Sequence, residues 1–242
     1  MTRMPPAKTE LSFWGHLDDI RTRLIKCLVV YVLACAGFYP CATAVLDVIT
    51  APAGPLFFTA PADAFMAYWN VVMWGGFVFA LPYILYHFWD FIGEGLLPAE
   101  KKIVMLYAPM SFFLFIIGCV FSFYVVLPMS FQFFLSYAGP HLRPLITLDK
   151  YISYATGVVF SFAAAFELPL IIFVLAKLGL VTPEWLAGNR RFAILGILIV
   201  AAILTPPDVA SQLMLAGPML ILYEVGIWCA RHAGAAGDVD VK

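Results

Sequence analysis

Charged side chains are scarce in this sequence of 242 residues, where Asp, Glu, Lys and Arg together make up 12%. A soluble domain usually carries about 25% charged residues. Neither sign is in excess, since the formal net charge is −1, and no broad field therefore favours a nucleic acid or an acidic substrate. Hydrophobic residues reach 63% instead. The composition predicts an all-α integral membrane protein, surrounded by lipid and binding no nucleic acid.

Metal-binding and catalytic signatures are also missing. The 5 cysteines are scattered through apolar segments without a CxxC pair, and the 4 histidines lie in separate segments without ligand spacing. The sequence has no HExxH, no GxSxG and no Walker-type glycine loop. We therefore expect no cofactor, no metal site and no enzymatic activity.

Long apolar runs fill most of the chain and predict six membrane spans. A hydrocarbon core about 30 Å thick needs roughly 20 helical residues to cross it. The predicted spans, in one membrane domain that covers residues 1–242, are 24–46, 66–92, 103–128, 151–178, 192–205 and 211–230.

The fifth span is the shortest of the six, and the sixth is also short. Residues 192–205 number only 14, which leaves a re-entrant segment as an alternative. Pro206, Pro207 and Asp208 predict a tight turn straight into the sixth span. We therefore interpret both as true spans that cross a locally thinned bilayer.

The segment before the first span predicts an amphipathic helix in the membrane interface. Residues 1–23 form a predicted cytoplasmic tail that ends in this helix, and residues 231–242 form a second tail. In the helix, apolar residues recur at three- and four-residue spacing, and polar residues fill the other face. The apolar set is Phe13, Trp14, Leu17, Ile20 and Leu24, and the polar set is His16, Asp18, Asp19, Arg21 and Arg23.

Glycine and proline interrupt several predicted spans and favour a kinked, concave bundle. Proline removes an intrahelical hydrogen bond, and glycine lets two backbones approach closely. The interrupting residues are Gly75, Gly76 and Pro82, then Pro109 and Gly118, then Gly157 and Pro169, and finally Gly217 and Pro218.

The distribution of basic residues predicts that both termini are cytoplasmic. With the N-terminus inside, all of the 14 lysines and arginines except Arg143 and Lys150 fall on the cytoplasmic side of the six predicted spans. Cytoplasmic loops of membrane proteins carry an excess of Lys and Arg. We therefore expect a multi-pass protein of the cytoplasmic (inner) membrane with this orientation.

Glu167 lies inside the fourth predicted span, close to Pro169. An acid at that depth costs about 2.5–3.5 kcal/mol on insertion scales, so a partner or a polar cavity should offset the cost. One interpretation is a hydrogen bond that only locks helix packing. The interpretation we favour is a polar site inside the membrane that the protein uses for its function.

Four further acids fall near the predicted cytoplasmic surface. Asp18 and Asp19 precede the first span, and Glu94 and Glu100 lie between the second and third spans. Together these carboxylates are able to hold paired guanidinium groups by charge-assisted hydrogen bonds. Alternatively, Glu100 favours the dipole at a helix start, and the aspartates pair with arginines of their own helix.

Several motifs occur in a fixed order along the chain. The segment 16–24, HLDDIRTRL, is similar to the HLxELRxRL signature that opens the TatC family, the multi-spanning component of the twin-arginine protein translocase. Further similar segments follow in order across almost the whole chain: PAEKK at 98–102, YVVLP at 124–128, FELP at 166–169, LTPPD at 204–208, SQ at 211–212, Pro218, and LYE at 222–224.

The resemblance implies a receptor subunit that binds the paired arginines of signal peptides on folded precursor proteins. It implies proton-motive-force-driven export, with TatA- and TatB-type single-span subunits as partners and several copies in one complex. Asp19 and Glu100 are then the expected arginine-binding carboxylates. Further signal-peptide-binding candidates are Arg21, Asp18, Glu94 and Phe91. The intramembrane or partner-docking candidates are Glu167, Gln212, Asp208 and Glu224.

The sequence departs from the family pattern at two places, and one rival function stays open. Asp19 stands where the family usually has Glu, and Gly93-Glu94 stands where the family often has a small residue and proline. The rival is a small proton-coupled secondary transporter, with Glu167 and Glu224 as relay groups. The absence of an internal repeat argues against that rival.

Overall fold

The computed structural model describes residues 13–94, 98–139, 144–204 and 209–237, and nearly all of them are helical. Within these ranges the only strand-like features are isolated bridges. The all-α prediction is therefore confirmed. The helices are α1 (Phe13–Phe38), α2 (Ala42–Thr50), α3 (Pro61–Glu94), α4 (Pro98–Phe121), α5 (Leu127–Leu135), α6 (Leu148–Ala165), α7 (Leu168–Lys177), α8 (Pro183–Gly188), α9 (Arg190–Leu204) and α10 (Val209–Gly237).

Five stretches in the described part of the chain are long and apolar enough to cross a membrane, so the multi-pass architecture is confirmed. Helix α9 has 15 residues, and at 1.5 Å per residue it is about 22 Å long. Because that length is below the usual hydrocarbon thickness, the fifth predicted span, 192–205, stays a prediction. The five stretches are Asp18–Ala53, Pro61–Gly93, Met105–Leu135, Leu148–Lys177 and Gln212–Arg231.

The predicted N-terminal helix and the first span form one continuous helix, α1. It begins at Phe13 and ends at Phe38, and a 3₁₀ turn at Tyr39–Cys41 leads into α2. Pro40 lies in that turn and has no N–H for the next intrahelical bond, which explains why α1 ends there. Residues 1–12 and the side chains of residues 13–17 lie outside the described part, so the interfacial position remains a prediction.

In the described residues, helices are interrupted within three of the predicted spans, and only the interruption at Pro169 was predicted. The first is the 3₁₀ turn at Tyr39–Cys41. Helices α6 and α7 are separated at Phe166 and Glu167, directly before Pro169, as predicted. The third span is interrupted by a π-helical turn at Ser122–Val126, where Leu127 N–H bonds to the carbonyl of Ser122. Pro128 follows this turn as the second residue of α5. Pro82, Pro109 and Pro218 lie inside helices that continue through them.

The helices pack in two connected groups. Helix α3 packs against α1, α4 and α6, whereas α10 packs against α7 and α9. Helices α4 and α6 approach closely at Gly118, where a Cβ atom would lie 2.7 Å from the Cα of Ala163. Buried residues around Leu127, Ile152 and Leu215 form the cores between these helices.

One end of the bundle carries the start of α1, the end of α3 and the start of α4, and we call it the N-terminal end. At the opposite end, the two long loops are joined to each other. Phe57 N–H donates to Ile146 O at 3.1 Å, and Leu148 N–H donates to Phe57 O at 2.7 Å. Tyr151 adds a hydrogen bond from its hydroxyl to Ile49 O at 3.0 Å. These bonds fix the ends of α2 and α6 relative to each other.

Candidate functional site

Four charged side chains form one ion-pair network at the N-terminal end, and we call it the Arg23 cluster: Asp19, Arg23, Asp90 and Lys101. Arg23 Nε donates to Asp19 Oδ2 at 2.6 Å, and Arg23 Nη1 donates to Asp90 Oδ2 at 2.7 Å. Lys101 Nζ lies 2.8 Å from Asp90 Oδ1. Arg23 Nη1 also donates to the backbone carbonyl of His87 at 3.5 Å. The network therefore joins α1, α3 and α4.

Helix spacing and partial burial explain why this cluster forms. Asp19 and Arg23 are four residues apart on α1, so their side chains lie on one face of the helix. The face turns toward α3, where Asp90 lies one turn from the helix end. Arg23 is the least accessible member, with its side chain 15% exposed. Charge pairs that are shielded in this way interact more strongly than pairs in open water.

The other predicted acids do not all join this cluster. Asp18 points to solvent with its side chain 74% exposed, and its Oδ1 lies 3.8 Å from Arg21 Nη1. A pair so exposed contributes little to stability. Phe91 is half-buried on α3, directly after Asp90. Glu94 ends α3 and Glu100 lies in the first turn of α4, but their side chains lie outside the described part.

Asp90 is a member of the cluster that the sequence reasoning did not select. It occupies the predicted second span, 66–92, and so was counted as part of an apolar run. Its charge was the available signal, because an acid within a predicted span is expensive without a partner. Both of its oxygens hold cations in the structure.

Glu167 lies at the break between α6 and α7 and accepts a hydrogen bond from α4. Ser111 Oγ donates to Glu167 Oε2 at 2.6 Å, and Ser111 itself is 1% exposed. The other oxygen, Oε1, is buried and has no hydrogen-bond partner within the described residues. Ser111 offsets part of the cost of placing this acid among apolar helices, and one acceptor remains unused.

An apolar groove runs beside this acid between α4, α7 and α10. Its volume is about 580 Å³. Phe166 and Pro169 line the groove and flank Glu167 in sequence, and Met110 lines it next to Ser111. Such a groove offers an apolar helix a surface with one polar group close by.

The candidates in the last hairpin make contacts inside the chain. Gln212 Nε2 donates to Leu198 O at 3.0 Å and so connects α10 to α9. Glu224 accepts two hydrogen bonds from Arg190, at 2.6 Å and 3.0 Å. These bonds raise the pKa of Arg190 above its ordinary value, because the Glu224 carboxylate stabilises the charged guanidinium. Asp208 lies outside the described residues.

The described side chains do not offer a metal centre as an alternative functional site. No group of three or more His, Cys, Asp or Glu residues within the described ranges is arranged to hold a metal ion. The fold defines a multi-pass helical membrane protein, and its two polar sites join helices of the chain to one another.

Similarity to known proteins identifies the family. A sequence model of the Sec-independent protein translocase protein (TatC) family matches residues 15–218. A TatC protein of Carboxydothermus hydrogenoformans is 36% identical over 226 residues, covering 91% of this chain and 93% of the relative. A TatC protein of Desulforapulum autotrophicum is 34% identical over 235 residues, covering 94% of this chain and 87% of the relative.

A solved structure agrees with these relatives in fold. The crystal structure of a twin-arginine translocase receptor, TatC, superposes with a TM-score of 0.81 at 32% identity, covering 90% of this chain and 99% of the other. The chain belongs to the TatC family. Its members are non-enzymatic components of protein transport that act with other Tat subunits. The family resemblance is confirmed, and membership argues against the proton-coupled transporter.

Proposed function

We propose that this chain is a signal-peptide receptor, which binds the paired arginines of folded precursor proteins at the N-terminal end. The observation that carries the proposal is the accessibility of Asp19. Its side chain is 35% exposed although it belongs to the Arg23 cluster, so a guanidinium from outside is able to reach it. Helix α4 begins beside this cluster, and its first turn carries Glu100.

The proposal includes the orientation and the partners that the sequence predicts. The N-terminal end faces the cytoplasm, both chain termini lie there, and the protein resides in the inner membrane. TatA- and TatB-type single-span helices dock in the groove beside Glu167, and several copies of this chain assemble in the receptor complex. The proton-motive force drives export. The groove supports this proposal because it is apolar and lies next to an incompletely paired carboxylate.

Binding of a synthetic signal peptide to the purified protein tests the receptor role. One fluorescent peptide carries paired arginines before an apolar segment, and a second has both arginines replaced by lysine. We expect tighter binding of the arginine form, because the planar guanidinium forms bidentate bonds that an ammonium group cannot form. Asp19→Asn and Glu100→Gln should each weaken binding of the arginine peptide by about tenfold, or about 1.4 kcal/mol.

Asp18→Asn provides the matched control on the neighbouring residue. It removes the same charge from the same helix, but Asp18 faces solvent outside the Arg23 cluster, and its Oδ1 lies 3.8 Å from Arg21 Nη1, beyond hydrogen-bond distance. We expect its affinity for the arginine peptide to equal that of the unmodified protein. Equal binding of the arginine and lysine peptides would overturn the receptor proposal, and an equal loss in Asp18→Asn and Asp19→Asn would overturn the assignment of Asp19.

A further inference from the structure

Asp90 binds two cations of its own chain, one with each carboxylate oxygen. Oδ2 receives Arg23 Nη1 at 2.7 Å from α1, and Oδ1 lies 2.8 Å from Lys101 Nζ on α4. The Asp90 side chain is 21% exposed, so it is less accessible than that of Asp19. Asp90 therefore binds two positively charged side chains, Arg23 and Lys101, that lie next to the proposed arginine site.

Arg23 is shared between the two aspartates. Its Nε bonds to Asp19 and its Nη1 bonds to Asp90, so one guanidinium spans both carboxylates. A signal-peptide arginine at Asp19 would meet this guanidinium as a competitor and as a like charge. The strength of the Asp90–Arg23 ion pair therefore determines how strongly Arg23 competes with a second arginine for the Asp19 carboxylate.

The side chain of Lys101 lies close against α3 because residue 93 is a glycine and has no side chain in its way. Its side chain passes over Gly93, where a Cβ atom would lie 3.0 Å from the Cγ of Lys101 and 3.6 Å from its Cδ. A larger residue at position 93 would push the lysine stem away. Because Gly93 lies three residues after Asp90 on α3, the lysine reaches Asp90 along the helix surface.

We propose that Asp90 is a positioning residue of the signal-peptide site. It binds Arg23 and Lys101 of the same chain, and so keeps Asp19 available to arginines from outside. This inference rests on the proposed receptor function. Asp90 itself does not contact the signal peptide: it acts by drawing two competing cations toward α3.

A double-mutant cycle tests this role. Asp90→Asn keeps the shape of the side chain and removes its charge, so the Arg23 Nη1 group that bonded to Asp90 turns to Asp19 as well. We expect this variant to bind the arginine peptide about tenfold more weakly. Adding Arg23→Gln removes the competitor, and the double variant Asp90→Asn/Arg23→Gln should recover affinity to within about threefold of the unmodified protein. Asp90→Glu, which keeps the charge, should retain most of the affinity.

The double variant separates positioning from a purely structural role. If Asp90 only stabilised the helices, then removing Arg23 as well would leave binding as weak as in Asp90→Asn or weaker, and the inference would be overturned. Unchanged binding by Asp90→Asn would also overturn it, while the receptor function would stand. A lack of preference for arginine over lysine in the unmodified protein would overturn both. Gel filtration and thermal unfolding in detergent show whether each variant is folded.

Discussion

Ser111 and Glu167 form the hydrogen bond that joins α4 to the break between α6 and α7. The distance from Ser111 Oγ to Glu167 Oε2 is 2.6 Å, and Oε1 is buried without a partner in the described part of the chain. A carboxyl group with one bonded and one unbonded oxygen is stabilised in place but still able to accept a further donor. This combination suits a site at which a partner helix presents a polar side chain.

Glu167→Ala should therefore weaken co-purification with TatA- and TatB-type helices, while binding of the arginine peptide stays unchanged. The variant removes the acceptor beside the groove and does not touch the Arg23 cluster. Ser161→Ala is the control, because Ser161 is also buried but its hydroxyl bonds to Gly157 O within α6. Partner recovery from Glu167→Ala at the level of the control would contradict the docking role.

Gly118→Val should destabilise the protein, because α4 and α6 are in backbone contact at this residue. A Cβ atom at position 118 would lie 2.7 Å from Ala163 Cα, so the helices must separate. Overpacking of this kind typically costs about 1–3 kcal/mol. Thermal unfolding in detergent measures the loss. Gly157→Val serves as the control, since nothing lies within 4 Å of a Cβ at position 157, and a similar loss in both variants would contradict the explanation.

Arg190 and Glu224 should behave as one unit that connects the start of α9 to α10. Reversing one charge, as in Glu224→Arg, places two cations together and should lower the unfolding temperature. The double exchange Arg190→Glu/Glu224→Arg restores an opposite-charge pair and should recover part of that temperature. Since both side chains are about half exposed, the effect should be small and should shrink at high salt. No recovery in the double exchange would mean that the pair does not couple the helices.

The orientation in the membrane predicts opposite labelling of two exposed positions. In intact cells, a membrane-impermeant maleimide added from outside should react with Lys150→Cys and spare Arg191→Cys. Both side chains are exposed. Arg191 lies outside the candidate spans, and Lys150 is the third residue of the span Leu148–Lys177. Disrupting the cells should make Arg191→Cys reactive. The unmodified protein measures background from its native cysteines, and the reverse pattern would contradict cytoplasmic termini.

The predicted features that the structure confirms all depend on local sequence. Apolar runs of sufficient length produce membrane helices, and the predicted break before Pro169 falls at a residue that lacks the N–H for an intrahelical bond. The sequence reasoning did not predict the π-helical turn at Ser122–Val126. Pro109 and Pro128 look alike in sequence, yet α4 continues through Pro109, whereas a π-helical turn precedes Pro128.

The amino-acid sequence by itself determined that this protein is a helical membrane protein of the TatC family, since span length, composition and ordered motifs are local properties. Only the tertiary structure decided which charges meet. Arg23 and Asp90 are 67 residues apart in the chain, and Ser111 and Glu167 are 56 apart. Such pairs depend on how α1, α3, α4 and α6 pack. Local sequence does not specify that packing, because a buried charge accepts any suitable partner that the fold brings within reach.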